Sequence, residues 1–373
     1  MKKPVYPNLF RPITINGLRL KNRITMAPLY LGYAGPGGKA SPLLLDHYSR
    51  MAQSGAAMIV VENAGITLGG SGSPRTLRCD HNRFIDGLSR LANQIKGQKS
   101  RACLQINHAG RFAHVPEAVA PSAVTAFGRT PRALLKREIT TIQKQYSNAA
   151  YRAKKAGFEL VELHGGTGYL LAQFVSPRTN QRSDGYGGSI SERIRFPIEV
   201  LKRVKDALGD YPIGYRFLAD EWLPDGLTLK ESLVLANALA ENGIAYLSVM
   251  GGTYESFFLP EIVRKSKKPG YMVTLAAAVK KNVPVPVIAA GRISTPAKAE
   301  SVLSENKADL IGLARMLWVD PQWPSKARNG QDRSIIKCRP NCDACFQLVM
   351  KGKPAFCPKW SKEKRAAHRA LFQ

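Results

Sequence analysis

An imidazole and two hydroxyl groups follow an apolar segment, residues 158–163, within one glycine-rich turn. They belong to His164, Thr167 and Tyr169. A neutral imidazole and a phenol can each donate a hydrogen bond or a proton to a reacting group. The plain alternative is that His164 bonds a neighbouring backbone group and Tyr169 only packs. An imidazole delivered by a buried strand into a glycine-rich turn favours a reactive role over packing alone, which makes an enzyme the leading interpretation.

Two further polar side chains lie on other apolar, strand-like segments. Gln105 stands in LQINHAGR and Arg216 in GYRF. A strand-borne amide offers a donor and an acceptor together, and a fixed guanidinium stabilises negative charge in a dry site. A salt bridge across the mouth of the fold is the alternative role for Arg216.

Glycine and arginine follow the last two predicted strands. Gly291 precedes Arg292, and Gly312 opens the segment GLAR, which also contains Ala314 and Arg315. Loops at the last two strands of an α/β barrel frequently bind phosphate through backbone amides. Together these segments predict a phosphate site.

Four of the six cysteines are clustered near the C-terminus with the spacing C-x3-C-x2-C-x11-C. Clustered thiols in a cytoplasmic protein indicate a metal site rather than disulfides, and both an iron-sulfur cluster and a tetrahedral zinc ion accept four thiolates. Cys79 and Cys103 are isolated and predicted to lie in the core or in loops. The four predicted ligands are Cys338, Cys342, Cys345 and Cys357.

Apolar β-branched segments alternate with amphipathic helical patterns along most of the chain, which predicts parallel strands covered by helices. Eight such units predict an α/β fold, the closed (β/α)8 TIM barrel, with its site at the C-terminal ends of the strands. The predicted strands are residues 23–27, 57–62, 102–107, 160–164, 213–217, 246–250, 285–289 and 308–312. The predicted helices are residues 42–54, 82–97, 138–156, 191–208, 229–242, 274–281 and 295–305.

Two additions to the barrel are predicted. Asn16-Gly17 lies between two short apolar segments, which is a strong β-hairpin signal, and the hairpin is expected to plug the bottom of the barrel. Near residue 327 the composition becomes rich in Cys, Lys and Arg. We therefore divide the chain into a barrel, residues 1–327, and a short Cys-rich, basic C-terminal extension, residues 328–373.

The chain is strongly basic, with 55 Lys and Arg against 27 Asp and Glu and a net charge of +28. Such a field attracts phosphorylated cofactors, acyl-CoA thioesters, acidic redox proteins and other polyanions, but no nucleic-acid module accompanies it. The alternative is a generally basic, well-solvated surface without a dedicated polyanion site. No apolar run is long enough for a membrane span and no leader pattern is found, so we expect a cytoplasmic protein. The sequence leaves the oligomeric state, monomer or homo-oligomer, open.

The segment 158–196 resembles the signature of the Old Yellow Enzyme family of flavin mononucleotide (FMN) oxidoreductases. The resemblance covers roughly residues 8–330. It implies that the backbone of MAPL, including Ala27, Pro28 and Leu29, faces the flavin, with Tyr30 where the family places a small or sulfur-bearing residue. It also implies that Gln105 and Arg216 bind the flavin ring and that the glycine and arginine loops bind its phosphate.

In the family, a histidine and a second histidine or asparagine bind the substrate carbonyl, hydride comes from flavin N5, and a tyrosine supplies the proton. The resemblance assigns these roles to His164, Thr167 and Tyr169, with a shorter hydroxyl replacing the second donor. The cysteine cluster resembles the iron-sulfur branch, exemplified by 2,4-dienoyl-CoA reductase and trimethylamine dehydrogenase. That branch usually reads C-x2-C-x3-C-x11-C and implies a [4Fe-4S] cluster.

We therefore expect an FMN-dependent ene reductase that uses NAD(P)H to reduce an activated alkene, which could be anionic or linked to CoA. No strand-linked G-x-G-x-x-G is present, so either NAD(P)H docks over the FMN or a separate protein supplies electrons. One alternative is an electron-transfer subunit of a larger complex. Another is a barrel that has lost catalysis and only binds anions.

Overall fold

Eight parallel strands form a closed barrel in the computed structural model, which describes residues 5–371. Around the barrel the strands run in the order β3, β4, β5, β8, β9, β10, β11 and β12, and β12 pairs with β3. The strands are β1 Ile13–Ile15, β2 Leu18–Leu20, β3 Ile24–Met26, β4 Met58–Gly65, β5 Arg101–Asn107, β6 Val119–Ala120, β7 Arg132–Ala133, β8 Leu160–Gly165, β9 Ile213–Asp220, β10 Tyr246–Gly251, β11 Val287–Ala289 and β12 Leu310–Leu313.

The predicted (β/α)8 barrel is confirmed, and each of the eight predicted strands overlaps a barrel strand. Residues of β3, β4, β8, β10, β11 and β12 are buried throughout, as expected for parallel strands covered on both faces. Helices pack outside these strands. The helices are α1 Pro7–Phe10, α2 Pro42–Gln53, α3 Ile85–Gly97, α4 Lys136–Lys155, α5 Leu170–Val175, α6 Ile190–Arg193, α7 Arg195–Leu208, α8 Leu229–Glu241, α9 Pro260–Ser266, α10 Val273–Asn282, α11 Pro296–Ser304, α12 Arg315–Val319, α13 Trp323–Arg328, α14 Ala344–Met350 and α15 Lys362–Ala370.

One predicted helix, residues 191–208, is divided into α6 and α7 around Ile194. Pro197 has no N–H to donate to the carbonyl four residues earlier, so a continuous helix would lose that bond. A capping box begins α6, because Ser189 accepts from the Glu192 N–H and Glu192 accepts from the Ser189 N–H.

The hairpin β1–β2 closes the bottom of the barrel, as predicted. Asn16 and Gly17 have φ of 42° and 78°, the conformation that a two-residue hairpin turn requires. Ile15 and Leu20 are fully buried and pack in a cluster with residues from the first halves of the barrel strands, including Met58. The apolar face of the hairpin thus completes the core below the site.

The extension after α13 packs on the barrel near the loop that follows β3. The Ala355 N–H donates to the Leu31 carbonyl at 2.9 Å, and the Tyr33 hydroxyl donates to the Ala355 carbonyl at 2.6 Å. The domain boundary at residues 327 and 328 stays a prediction. Within residues 5–371, no helix is both long enough and apolar enough to cross a membrane.

Truncating a buried side chain of the β1–β2 hairpin should destabilise the barrel. Leu20→Ala deletes a side chain with no exposed surface and is expected to lower the free energy of unfolding by about 2–5 kcal/mol. Leu18→Ala on the same strand is the control, because Leu18 is only partly buried. Urea unfolding followed by circular dichroism measures both, and equal losses would show that the hairpin does not complete the core.

Candidate functional site

Strand register brings three polar side chains together inside the barrel. Gln105 on β5 pairs with Glu162 on β8, and Tyr246 lies in the same layer on β10. The Gln105 Nε2 donates to Glu162 Oε1 at 2.8 Å, and the Tyr246 hydroxyl donates to Oε2 at 2.9 Å. A Cβ at Gly214 would lie 2.1 Å from the Tyr246 ring, so the glycine makes space for the tyrosine. Glu162 therefore fixes the orientation of the Gln105 amide.

One layer higher, His164 on β8 pairs with Arg216 on β9, and Arg216 pairs with Ser248 on β10. The Arg216 Nη1 donates to the Ser248 Oγ at 2.8 Å. Burial lowers the pKa of Arg216, and the charge of Glu162 opposes that effect. Burial raises the pKa of Glu162, which the Arg216 charge opposes in turn. The pair holds a guanidinium at the rim of a water-poor site.

His164 and Tyr169 lie edge to face, with ring centroids 4.8 Å apart. The His164 Nδ1 accepts from the Gly166 N–H at 3.2 Å, so the neutral ring carries its proton on Nε2. Burial, and secondly the Arg216 charge, hold the pKa of His164 well below its usual value. The neutral imidazole of His164 therefore accepts a backbone hydrogen bond at Nδ1 and can donate one to a ligand from Nε2.

Tyr169 shares a hydrogen bond of 2.8 Å with the hydroxyl of Tyr254, which comes from the loop after β10. Burial raises the pKa of Tyr169 well above its usual value, and the neighbouring Tyr254 adds to the shift. The group is therefore a phenol at neutral pH and can give a proton. Thr167 lies in the same turn at φ 60°, and its hydroxyl donates to the Met250 sulfur at 3.6 Å.

Loops after four strands enclose a cavity of about 190 Å³ beside Arg216. A Cβ at Gly291, where φ is 95°, would lie 2.9 Å from the Met272 side chain, so only glycine fits that wall. Burial lowers the pKa of Arg292, and the nearby Arg315 charge lowers it further. Two adjacent guanidinium groups suit a phosphate. The predicted residues lining this cavity are Ala27, Pro28, Arg216, Gly291, Arg292, Gly312, Ala314 and Arg315.

Two larger cavities adjoin the site. One of about 570 Å³ includes Leu29 and Tyr30 and shares Arg292 and Arg315 with the smaller cavity. The other, of about 480 Å³, leads to Tyr169. The Ala27 N–H donates to the Leu313 carbonyl at 3.0 Å, which fixes the loop after β3 against the loop after β12. The predicted cavity-lining residues and Tyr169 thus border adjoining spaces at the rim. His164 lies beside Tyr169, Thr167 beside Met250, and Gln105 in the layer below.

The four clustered cysteines border adjoining spaces. Cys338, Cys342 and Cys357 line an open cavity of about 860 Å³, while Cys342 and Cys345 line the 570 Å³ cavity. Burial raises the pKa of Cys345 and of Cys357, and the neighbouring thiols contribute. All four are free thiols. Among residues 5–371, no three His, Cys, Asp or Glu side chains are arranged to hold a metal ion.

Glu162, Ser248 and Tyr254 are among the contacting residues that were not predicted. Glu162 lies two positions before His164, so strand periodicity alone places both on one face and could have indicated it. Ser248 carries no distinguishing signal in the sequence. Tyr254 follows Gly251-Gly252 at a predicted strand end, but its contact with Tyr169 depends on how two loops meet.

Comparison with known proteins gives consistent results. A model of the NADH:flavin oxidoreductase / NADH oxidase family matches residues 8–334. An NADH oxidase of Thermoanaerobacter brockii is 40% identical over 343 residues, 89% of this chain and 52% of that protein. An NADPH dehydrogenase of Geobacillus sp. (strain WCH70) is 35% identical over 323 residues, 86% of this chain and 93% of that protein.

Among solved structures, a 2-naphthoyl-CoA reductase complex with 2-naphthoyl-CoA superposes with a TM-score of 0.90 at 27% identity, over 95% of this chain and 57% of that one. The chain spans about half the length of the NADH oxidase and nearly all of the NADPH dehydrogenase. The family model covers the whole barrel, and the prediction of an Old Yellow Enzyme-like protein is confirmed. The chain belongs to the NADH:flavin oxidoreductase / NADH oxidase family.

Proposed function

We propose that this chain is an FMN-dependent NAD(P)H oxidoreductase of the ene-reductase type. Its substrate would be an alkene conjugated to a carbonyl, thioester or nitro group. The observation that carries the proposal is the pairing of a neutral His164 with a protonated Tyr169 beside the partly buried Arg216. Family membership and the relative named NADPH dehydrogenase support it.

The residues present fit FMN. The cavity beside Arg292 and Arg315 suits its phosphate, because Gly291 admits no side chain and two guanidinium groups face the same space. Gln105 would bind the pyrimidine edge of the ring with an amide that Glu162 orients. Arg216 would stabilise negative charge on the reduced ring. Ala27, Pro28 and Leu29 would face the ring through their backbone.

When bound, FMN supplies hydride chemistry. His164 would donate from Nε2 to the electron-withdrawing oxygen of the substrate, where negative charge develops as the alkene accepts hydride. Tyr169 would deliver the proton to the α-carbon. Thr167 would be the second donor after its hydroxyl leaves the Met250 sulfur. A hydroxyl reaches less far than an amide, so we propose that Thr167 selects substrates rather than sets the chemistry.

The basic surface and the CoA ester in the 2-naphthoyl-CoA reductase complex support an anionic or CoA-linked alkene as substrate. NAD(P)H would dock over the flavin from the same rim. We also propose a cytoplasmic location, which the free state of all six cysteines supports.

We further propose that Cys338, Cys342, Cys345 and Cys357 hold a [4Fe-4S] cluster. No three of these side chains are placed to hold a single metal ion among residues 5–371, so the proposal rests on the donor chemistry of four free thiols around adjoining cavities. Cys342 and Cys345 line the cavity that Arg292 and Arg315 also line. A structural zinc ion is the alternative occupant. The shared cavity wall also supports the second candidate function, an electron-transfer subunit of a larger oxidoreductase complex.

Replacing Tyr169 should separate the two half-reactions. Tyr169→Phe removes the proton donor and is expected to slow alkene reduction about 10²- to 10⁴-fold while leaving flavin reduction by NADPH unchanged. Anaerobic stopped-flow absorbance measures both steps. Tyr151→Phe, an exposed tyrosine on α4, is the control and should change neither. Equal slowing of both half-reactions would contradict the assignment.

Loss of one phosphate-facing arginine should weaken FMN retention. Arg315→Ala removes a charged donor worth about 1.5–3 kcal/mol, so the FMN dissociation constant should rise roughly 10- to 100-fold. Fluorescence titration of the apoprotein with FMN measures it. Arg264→Ala, an exposed arginine on α9, should leave the constant unchanged. An unaltered affinity in the Arg315 variant would place the phosphate elsewhere.

Metal analysis tests the cysteine site. After anaerobic purification we expect about four iron and four acid-labile sulfide per chain. Cys345→Ala should lower both, and Cys79→Ala, which alters a buried thiol outside the cluster, should lower neither. Zinc without iron would refute the cluster.

A further inference from the structure

The positive charge per residue is higher in the Cys-rich extension than in the barrel. Residues 328–373 carry 11 Lys and Arg against 3 Asp and Glu, a net charge of +8, whereas residues 1–327 carry 44 against 24, a net charge of +20. The charge per residue is therefore about three times higher in the extension. A uniformly basic protein would not show this difference.

These cations are not neutralised within the chain. In the described part of the extension, residues 328–371, no Lys or Arg forms an ion pair. All six of them that lie within residues 336–362 are exposed to solvent. They are Lys337, Arg339, Lys351, Lys353, Lys359 and Lys362. Unpaired surface cations leave their attraction available to an external anion.

Two of these cations lie at the open cysteine cavity. Arg339 and Lys359 line the same 860 Å³ cavity as Cys338, Cys342 and Cys357. Ile336, next to Lys337 in the sequence, keeps 45% of its surface exposed. An exposed apolar residue within a charged rim is the composition of a transient protein interface.

We infer that this basic surface, residues 336–362 around the cysteine cavity, docks a small acidic electron-carrier protein. Charge complementarity favours an acidic partner. The thiols at the cavity favour a redox protein over a nucleic acid or a lipid surface, because neither of these exchanges electrons. The inference rests on the proposed redox role of the cysteines, but docking itself is measurable without catalysis.

The electron balance is simple. Each reduced carrier would give up one electron per encounter, and the [4Fe-4S] cluster that Cys338, Cys342, Cys345 and Cys357 are proposed to hold would be the one-electron acceptor. Two such encounters supply the two electrons that reduction of one C=C bond consumes, together with two protons. The barrel protein would then accept electrons without NAD(P)H.

Calorimetric titration of the FMN-loaded protein with a plant-type [2Fe–2S] ferredoxin tests the docking. We expect binding that weakens steeply as salt rises above about 0.1 M, because the charges are exposed. The variant Lys337→Glu, Lys359→Glu, Lys362→Glu should raise the dissociation constant at least about tenfold.

The matched control is Arg137→Glu, Lys144→Glu, Lys155→Glu, which makes the same charge change on exposed positions of α4. It should leave the dissociation constant nearly unchanged. Equal weakening in both triple variants would reduce the effect to overall charge and overturn the proposal.

Two other results would also overturn it. One is no ferredoxin binding by the unmodified protein. The other is stronger binding of RNA or of phosphatidylserine vesicles that the extension variant abolishes. Flavin content and NADPH-driven alkene reduction are measured in parallel, and their failure with docking intact would contradict the proposed function alone.

Discussion

The register of β8 within the closed parallel barrel is the constraint on which the site depends. Glu162 and His164 lie two residues apart and so share one face of the strand. Pairing with β5 places Gln105 against Glu162, and pairing with β9 places Arg216 against His164. A slip by one residue would turn both β8 side chains away from these partners. The hairpin, helices and core all serve to hold this register.

Burial sets the protonation states that the proposed chemistry needs. It keeps His164 neutral and Tyr169 protonated, and the Arg216 charge strengthens the first effect. Partial burial lowers the pKa of Arg216, and the Glu162 charge in the layer below opposes that effect. The acid groups and the stabilising cation are thus parts of one electrostatic arrangement rather than independent residues.

The barrel and much of its site could be predicted from the sequence, because buried parallel strands have continuous apolar sequences. The polar residues at their C-terminal ends then meet at one rim of the barrel. His164, Arg216 and the Gly291 and Arg315 loops were predicted for that reason. Tyr254 was not, since loop-to-loop contacts depend on the three-dimensional course of the chain. The division of residues 191–208 into two helices follows from Pro197, a local signal that the helical pattern concealed.

The extension links two parts of the proposed chemistry. It contacts the loop after β3 through Ala355, and its cysteines line a cavity shared with the arginines proposed to bind phosphate. The central claim is that one flavin, held at the barrel rim, passes electrons to an activated alkene. The most direct measurement is the visible spectrum of the anaerobically purified protein, titrated first with NADPH and then with an activated alkene. The account predicts an oxidised FMN spectrum that bleaches with NADPH and returns with the alkene. A colourless protein, or a flavin that the alkene does not reoxidise, would contradict it.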